Sequence, residues 1–132
     1  MAENPKTGMG RLKPEPHLVS PVALLWINAA LENGAIKYGP YNWRDAAIPV
    51  NTYVSAMKRH LDEFATGVDR ASDSQVPHLA HVAAGCIILL DAFHAGTVID
   101  DRYAIEGFED VMLQVQALKA QWVADAEARK AA

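Results

Sequence analysis

Four stretches of the chain repeat apolar residues at spacings of three and four, each bounded by proline or glycine, and no run alternates long enough to claim a sheet. That pattern restricts the fold to the all-α class. In the first stretch, Ser20 before Pro21 is a good start, a hydroxyl N-cap ahead of a proline whose missing N–H costs nothing in a first turn. Leu24, Leu25, Ile27, Ala30, Leu31 and Ala35 follow at helical spacing until Gly39-Pro40 stops the run. Asn51 reads as the cap of a second helix with the stripe Tyr53, Val54, Met57, Leu61 and Phe64, ended by Gly67. Pro77 sits in the first turn of a third, running through Leu79, Val82, Ala83, Ile87 and Leu90 to Gly96. The last runs from about Phe108 to the C-terminus, with Val111, Met112, Val115, Leu118, Trp122 and Val123 as its stripe.

Short connections make sequential helices neighbours, so the expected architecture is a four-helix bundle-like single domain, residues 20–132. It follows an irregular arm, residues 1–19, whose Pro5, Gly8, Gly10, Pro14 and Pro16 oppose regular structure. The third helix is apolar on most sides, which predicts a central position and, with a second copy covering one face, a homo-oligomer. A length of 132 residues suits one domain, and 51% apolar against 21% charged residues is the balance of a folded core.

A net charge of −4 argues against a binder of polymeric nucleic acid, whose affinity comes from clustered cations, while leaving room for a small anionic ligand. The single cysteine, Cys86, lies in an apolar run and reads as a small buried hydrophobe. With no disulfide possible within the chain, a reducing cytoplasm is the expected compartment. No signal-type segment is read at the N-terminus, and no stretch is read as approaching the roughly 18 apolar residues of a membrane span.

Chemistry concentrates at two places. His60 and Glu63 lie three apart on the second helix, and His78 and His81 three apart on the third, so each pair shares a helix face. Antiparallel packing lets the pairs converge on a divalent cation, with Asp62, Asp69 and Asp73 in or near the intervening stretch as further oxygen donors. Isolated histidines are more often satisfied structural residues, the reading given to His17 and His94. Two such pairs on consecutive helices favour a site. The second constellation is Lys37, Tyr38, Asn42, Trp43 and Arg44, with cations for phosphate, an amide for a base edge or ribose, and rings for stacking. Lys58 and Arg59 add candidate phosphate contacts.

Four segments in order, Gly34-Ala35-Ile36-Lys37-Tyr38-Gly39, Asn42-Trp43-Arg44, Arg59-His60-Leu61 and Pro77-His78-Leu79-Ala80-His81, make the chain resemble the phage-associated dATP/dGTP diphosphohydrolase N-terminal family. That family is related in concept to the MazG- and MazZ-type all-α nucleotide pyrophosphohydrolases. The resemblance implies metal-dependent hydrolysis of dGTP or dATP to the monophosphate and pyrophosphate, in phage nucleotide metabolism. It departs from the MazG type, which carries acidic pairs where this chain has His60-x-x-Glu63 and His78-x-x-His81. Softer ligands bring Mn²⁺, Co²⁺ or Zn²⁺ level with Mg²⁺. In this reading His60, Glu63, His78, His81 and Asp69 hold the metal, and Glu63, His60 and His78 carry catalysis. Lys37, Tyr38, Asn42, Trp43, Arg44, Lys58 and Arg59 bind the substrate. An HD-type phosphohydrolase ranks low, because the adjacent His-Asp pair is absent. The rival from another class is a non-catalytic helical interaction module whose histidines close around a structural metal.

Overall fold

The computed structural model describes residues 1–132, which fold as six helices and one minimal pair of strands. The fold is all-α, as the periodicity predicts. The helices are α1 (Pro5–Gly10), α2 (Pro21–Tyr38), α3 (Asn42–Asp45), α4 (Val50–Ala65), α5 (His78–Ala95) and α6 (Phe108–Ala131); the strands are β1 (Ile48–Pro49) and β2 (Val98–Ile99). Two compact units divide the chain, Met1–Asp101 and Arg102–Ala132, the second consisting of α6 and the segment leading to it.

The punctuation works as its chemistry requires. Ser20 Oγ accepts from the Ala23 N–H at the start of α2, and Gly39 closes that helix. Gly96, at φ 71°, caps α5 in the left-handed conformation that glycine adopts without penalty. Asn51 is not the acceptor at the head of α4, which begins one residue earlier. Its backbone N–H instead donates to Asp101 Oδ1 at 2.9 Å and its side-chain amide to the Asp101 carbonyl at 2.8 Å. A distant carboxylate thus satisfies a first-turn donor and complements the helix dipole.

Other expectations need correction as well. The N-terminal arm is not wholly irregular: Asn4 accepts from the Lys6 N–H and starts α1, and Pro16–Leu18 form a 3₁₀ turn. A sheet exists, though only as a parallel pairing of Ile48 with Val98 and Pro49 with Ile99, too short to leave a periodic trace in sequence. And α5, with 18 residues of mean hydropathy 1.4, is long and apolar enough to cross a membrane. Within the chain it buries His78, Ala80, Ala84, Gly85 and Ala92, while Leu79, Ile87, Leu90 and Phe93 stay exposed.

Within the first unit α5 packs against both α2 and α4. Ala30, Val76, Ala80 and Ala84 form the core, with Ile27, Ala29 and Leu31 against it. Small side chains at these positions let the backbones approach closely. Gly85 is the tightest point: a Cβ there would lie 2.7 Å from Met57 Cγ and 2.9 Å from Met57 Sδ. Cys86, beside it, is exposed rather than buried, its Sγ 3.6 Å from Met57 Sδ. Met57 meeting residues 85 and 86 while His60 meets His78 makes α4 and α5 antiparallel.

Candidate active site

Antiparallel packing brings the two histidine pairs face to face. His78 is 1% exposed and central to the group. Its Nδ1 lies 2.8 Å from His60 Nδ1, so one of these nitrogens carries the proton and the other accepts it. Its Nε2 is sealed from solvent 2.7 Å from Glu63 Oε2, yet makes no aligned hydrogen bond. The His60 ring stacks on His81, with centroids 4.6 Å apart and planes within 10°. His81 Nε2 meets Ser74 Oγ at 2.9 Å, the Ser74 N–H donates to Asp73 Oδ1, and Asp73 Oδ2 pairs with Lys37 Nζ at 3.4 Å. These contacts gather Glu63, the three histidines, Ser74, Asp73 and Lys37 into one cluster, in which His60 and His81 meet by ring stacking.

Burial sets the protonation of its middle. Desolvation, followed by the neighbouring His78, lowers the pKa of His60. Desolvation, followed by His60, lowers that of His81. Both rings are consequently neutral at pH 7 and able to accept a proton. The hydrogen bond from Lys37, with that from the Ser74 backbone, lowers Asp73 and keeps it ionised.

Two adjoining cavities open on this cluster. The larger, ≈ 600 Å³, lies between α2, α4, α5 and the Gly39–Trp43 turn, within the range of a small-molecule site. Tyr38, Tyr41, Trp43 and Tyr53 line it, along with Lys37, Asn42, His60 and His81. The smaller, ≈ 180 Å³, is walled by Arg59, Glu63, Asp73 and His78 and shares Ala56, His60 and Asp73 with the first. The aromatic wall depends on a sharp backbone reversal: Gly39 has φ 90° and Tyr41 φ 55°, left-handed conformations that turn the chain out of α2 into α3. Burial raises the Tyr53 phenol pKa, with a hydrogen bond to Asn42 opposing the shift.

Several predicted residues have other employment. Arg44 is committed to Asp91, Nε to Oδ2 and Nη2 to Oδ1, both at 2.7 Å, and does not line either cavity. Lys58 lines neither cavity and is exposed. Asp69 lines neither; its backbone carbonyl accepts from the His78 N–H at 2.8 Å and positions the start of α5. Asp91, Ser74 and Tyr53 were not among the predicted residues. Asp91 stands as a lone carboxylate in an apolar run, and its partners lie 47 and 48 positions away, so no local spacing signals it.

The divalent ion implied by the resemblance finds a partial fit. The Glu63 carboxylate beside the unaligned, buried His78 Nε2 is a donor pair suited to a cation. No three His, Cys, Asp or Glu groups are gathered to hold one, and the sequence expectation of a four- or five-ligand cluster is not met. Here His60 Nδ1 faces His78, and His81 Nε2 faces Ser74. A carboxylate and an imidazole nitrogen would hold an ion by two protein donors, fewer than the four that close a structural zinc site.

Among known protein families, the model of the one described as dATP/dGTP diphosphohydrolase, N-terminal, matches residues 3–102. No curated protein and no solved structure matches the chain.

Proposed function

The chain belongs to the dATP/dGTP diphosphohydrolase N-terminal family, and from that premise we propose that it hydrolyses a purine deoxynucleoside triphosphate to the monophosphate and pyrophosphate. The observation that carries this reading is the junction of the two cavities. An aromatic chamber large enough for a nucleoside, with Lys37 in its wall, adjoins a polar cleft holding Glu63, His78 and Arg59.

In this reading the base lies against Trp43 or Tyr38, and Asn42 addresses the base edge or ribose. The triphosphate extends toward Lys37 and Arg59. Lys37 is available because its pairing with Asp73 is long and solvent-exposed, the kind of surface pair worth little against a phosphate partner. Glu63 and His78 would hold a divalent ion, which when bound neutralises charge developing on the phosphate oxygens. Water attacks the α-phosphorus as the bond from that phosphorus to the bridging oxygen breaks. Pyrophosphate leaves with the electron pair, and Glu63 takes the proton from water through the carboxylate oxygen that does not hold the ion. His60 orients His78 through the shared proton between their Nδ1 atoms. The setting we propose is the cytoplasm, in phage nucleotide metabolism, with the protein working as a homo-oligomer.

The test is incubation with each of the four dNTPs plus Mn²⁺ or Mg²⁺, resolving nucleotide products by chromatography and assaying pyrophosphate separately. Monophosphate and pyrophosphate from dGTP or dATP are expected. Absence of turnover with either metal removes the proposal.

A further inference from the structure

The Asp91 carboxylate spends every short contact on two adjacent residues of α3. Oδ2 accepts from Trp43 Nε1 and Arg44 Nε, and Oδ1 from Arg44 Nη2, all at 2.7 Å. These are charge-assisted bonds in a planar fork, the strongest geometry a carboxylate forms with arginine. Arg44 itself sits over the Tyr41 ring at 5.6 Å from the centroid, and the Tyr41 and Trp43 rings lie 5.2 Å apart. Arg44 therefore braces Asp91 from one side and Tyr41 from the other. Three of the roughly four acceptor positions of the Asp91 carboxylate are thus taken and its charge is balanced by Arg44, at the wall of the larger cavity.

We propose that Asp91 is a positioning residue for nucleoside binding, fixing the Trp43 ring in the wall of the larger cavity so that the base meets a preformed stacking surface. The inference rests on the function proposed above for what fills the cavity, and adds which residue sets its affinity. An indole has two rotatable side-chain bonds, and a single hydrogen bond at its far end removes most of their freedom. Ordering that ring before the ligand arrives avoids an entropic cost at binding. Stacking tolerates any base, so the effect of Asp91 falls equally on dGTP and dATP.

Two probes separate the ends of the site: dGMP, which carries the base, and inorganic tripolyphosphate, which does not. Calorimetric titration of Asp91→Ala is expected to show dGMP affinity lowered about tenfold, the scale of one lost stacking contact, and tripolyphosphate affinity unchanged. In turnover the same variant raises KM for dGTP and dATP alike and leaves kcat near wild type. Asp91→Asn, which keeps an acceptor for the indole, recovers part of the affinity. Trp43→Phe, which keeps a ring but loses the N–H, reproduces the Asp91→Ala pattern and reads the same bond should Asp91→Ala fail to fold. Unchanged dGMP affinity, or an equal loss for tripolyphosphate, overturns the proposal. Wild-type protein that binds dGMP but turns over no dNTP sinks the proposed function and leaves the role of Asp91 standing; wild-type protein that binds neither probe sinks both.

Discussion

The two ends of the large cavity are built on opposite principles. At the Asp91 end, a full negative charge is matched by a guanidinium and an indole N–H, all in short bonds, and the backbone of α3 is locked in place. At the histidine end, His60 and His81, held neutral by burial, stack on each other, and the carboxylates of Glu63 and Asp73 stand open to solvent. Saturated bonding fixes a shape, whereas a buried nitrogen without an aligned partner is a group waiting for a reactant or an ion. In the function proposed above, the first end recognises and the second reacts, with His81 and Asp91 ten residues apart along α5.

Glu63→Gln breaks that contrast most severely. Turnover should fall by about two to four orders of magnitude, as for loss of a general base, while the melting temperature stays near wild type because Glu63 is exposed. An unchanged kcat places the chemistry elsewhere. Gly85→Ala comes next, since the added Cβ runs into Met57 and forces it from the α4–α5 contact. Thermal unfolding should show a loss of about 1 to 3 kcal/mol, the usual cost of overpacking; a neutral result means Met57 repacks freely.

Stability against pH separates the ends without mutation. His60 and His81 have pKa values lowered below the ordinary 6.5, so between 6.5 and the folded values the unfolded chain binds more protons. Stability of the metal-free protein therefore declines as pH drops below about 6.5 and levels off once the folded rings protonate. Asp91 behaves otherwise. Held far below the usual carboxylate range by Arg44 and Trp43, it contributes stability that is complete above its unfolded pKa of about 3.8 and is lost progressively as pH falls from there toward the folded value. The His60→Asn, His81→Asn double variant should flatten the first decline and leave the second; persistence of both assigns the first elsewhere. The smallest effect is expected from Arg44→Gln, a melting temperature lower by a few degrees with kcat preserved, since Asp91 keeps the indole bond. A large drop in kcat returns Arg44 to the phosphate-binding role read from its charge.

What sequence makes legible follows from range. Helix bounds at Ser20-Pro21, Gly39, Pro77, Gly96 and Gly107 could be read because caps act over three or four residues. The His60, Glu63, His78 and His81 group was legible because helical spacing places each pair on one face. How the rings would pair was not, since a histidine nitrogen donates or accepts according to neighbours that spacing does not specify. Arg44 read as a free cation for the same reason that Asp91 went unnoticed: their bond spans 47 positions. Cys86 was misread because an apolar run signals a helix without saying which of its faces is covered.

The parallel pairing of β1 with β2 bears on how the protein is made. All four histidine-end side chains have left the peptidyl-transferase centre once His81 is added, but Ile48 waits for Val98, Asn51 for Asp101 and Trp43 for Asp91. A nascent chain stalled between those points holds the reactive groups without the clasp that seats α4 and α3. Completion of the larger cavity's wall is therefore among the last events of synthesis for this unit.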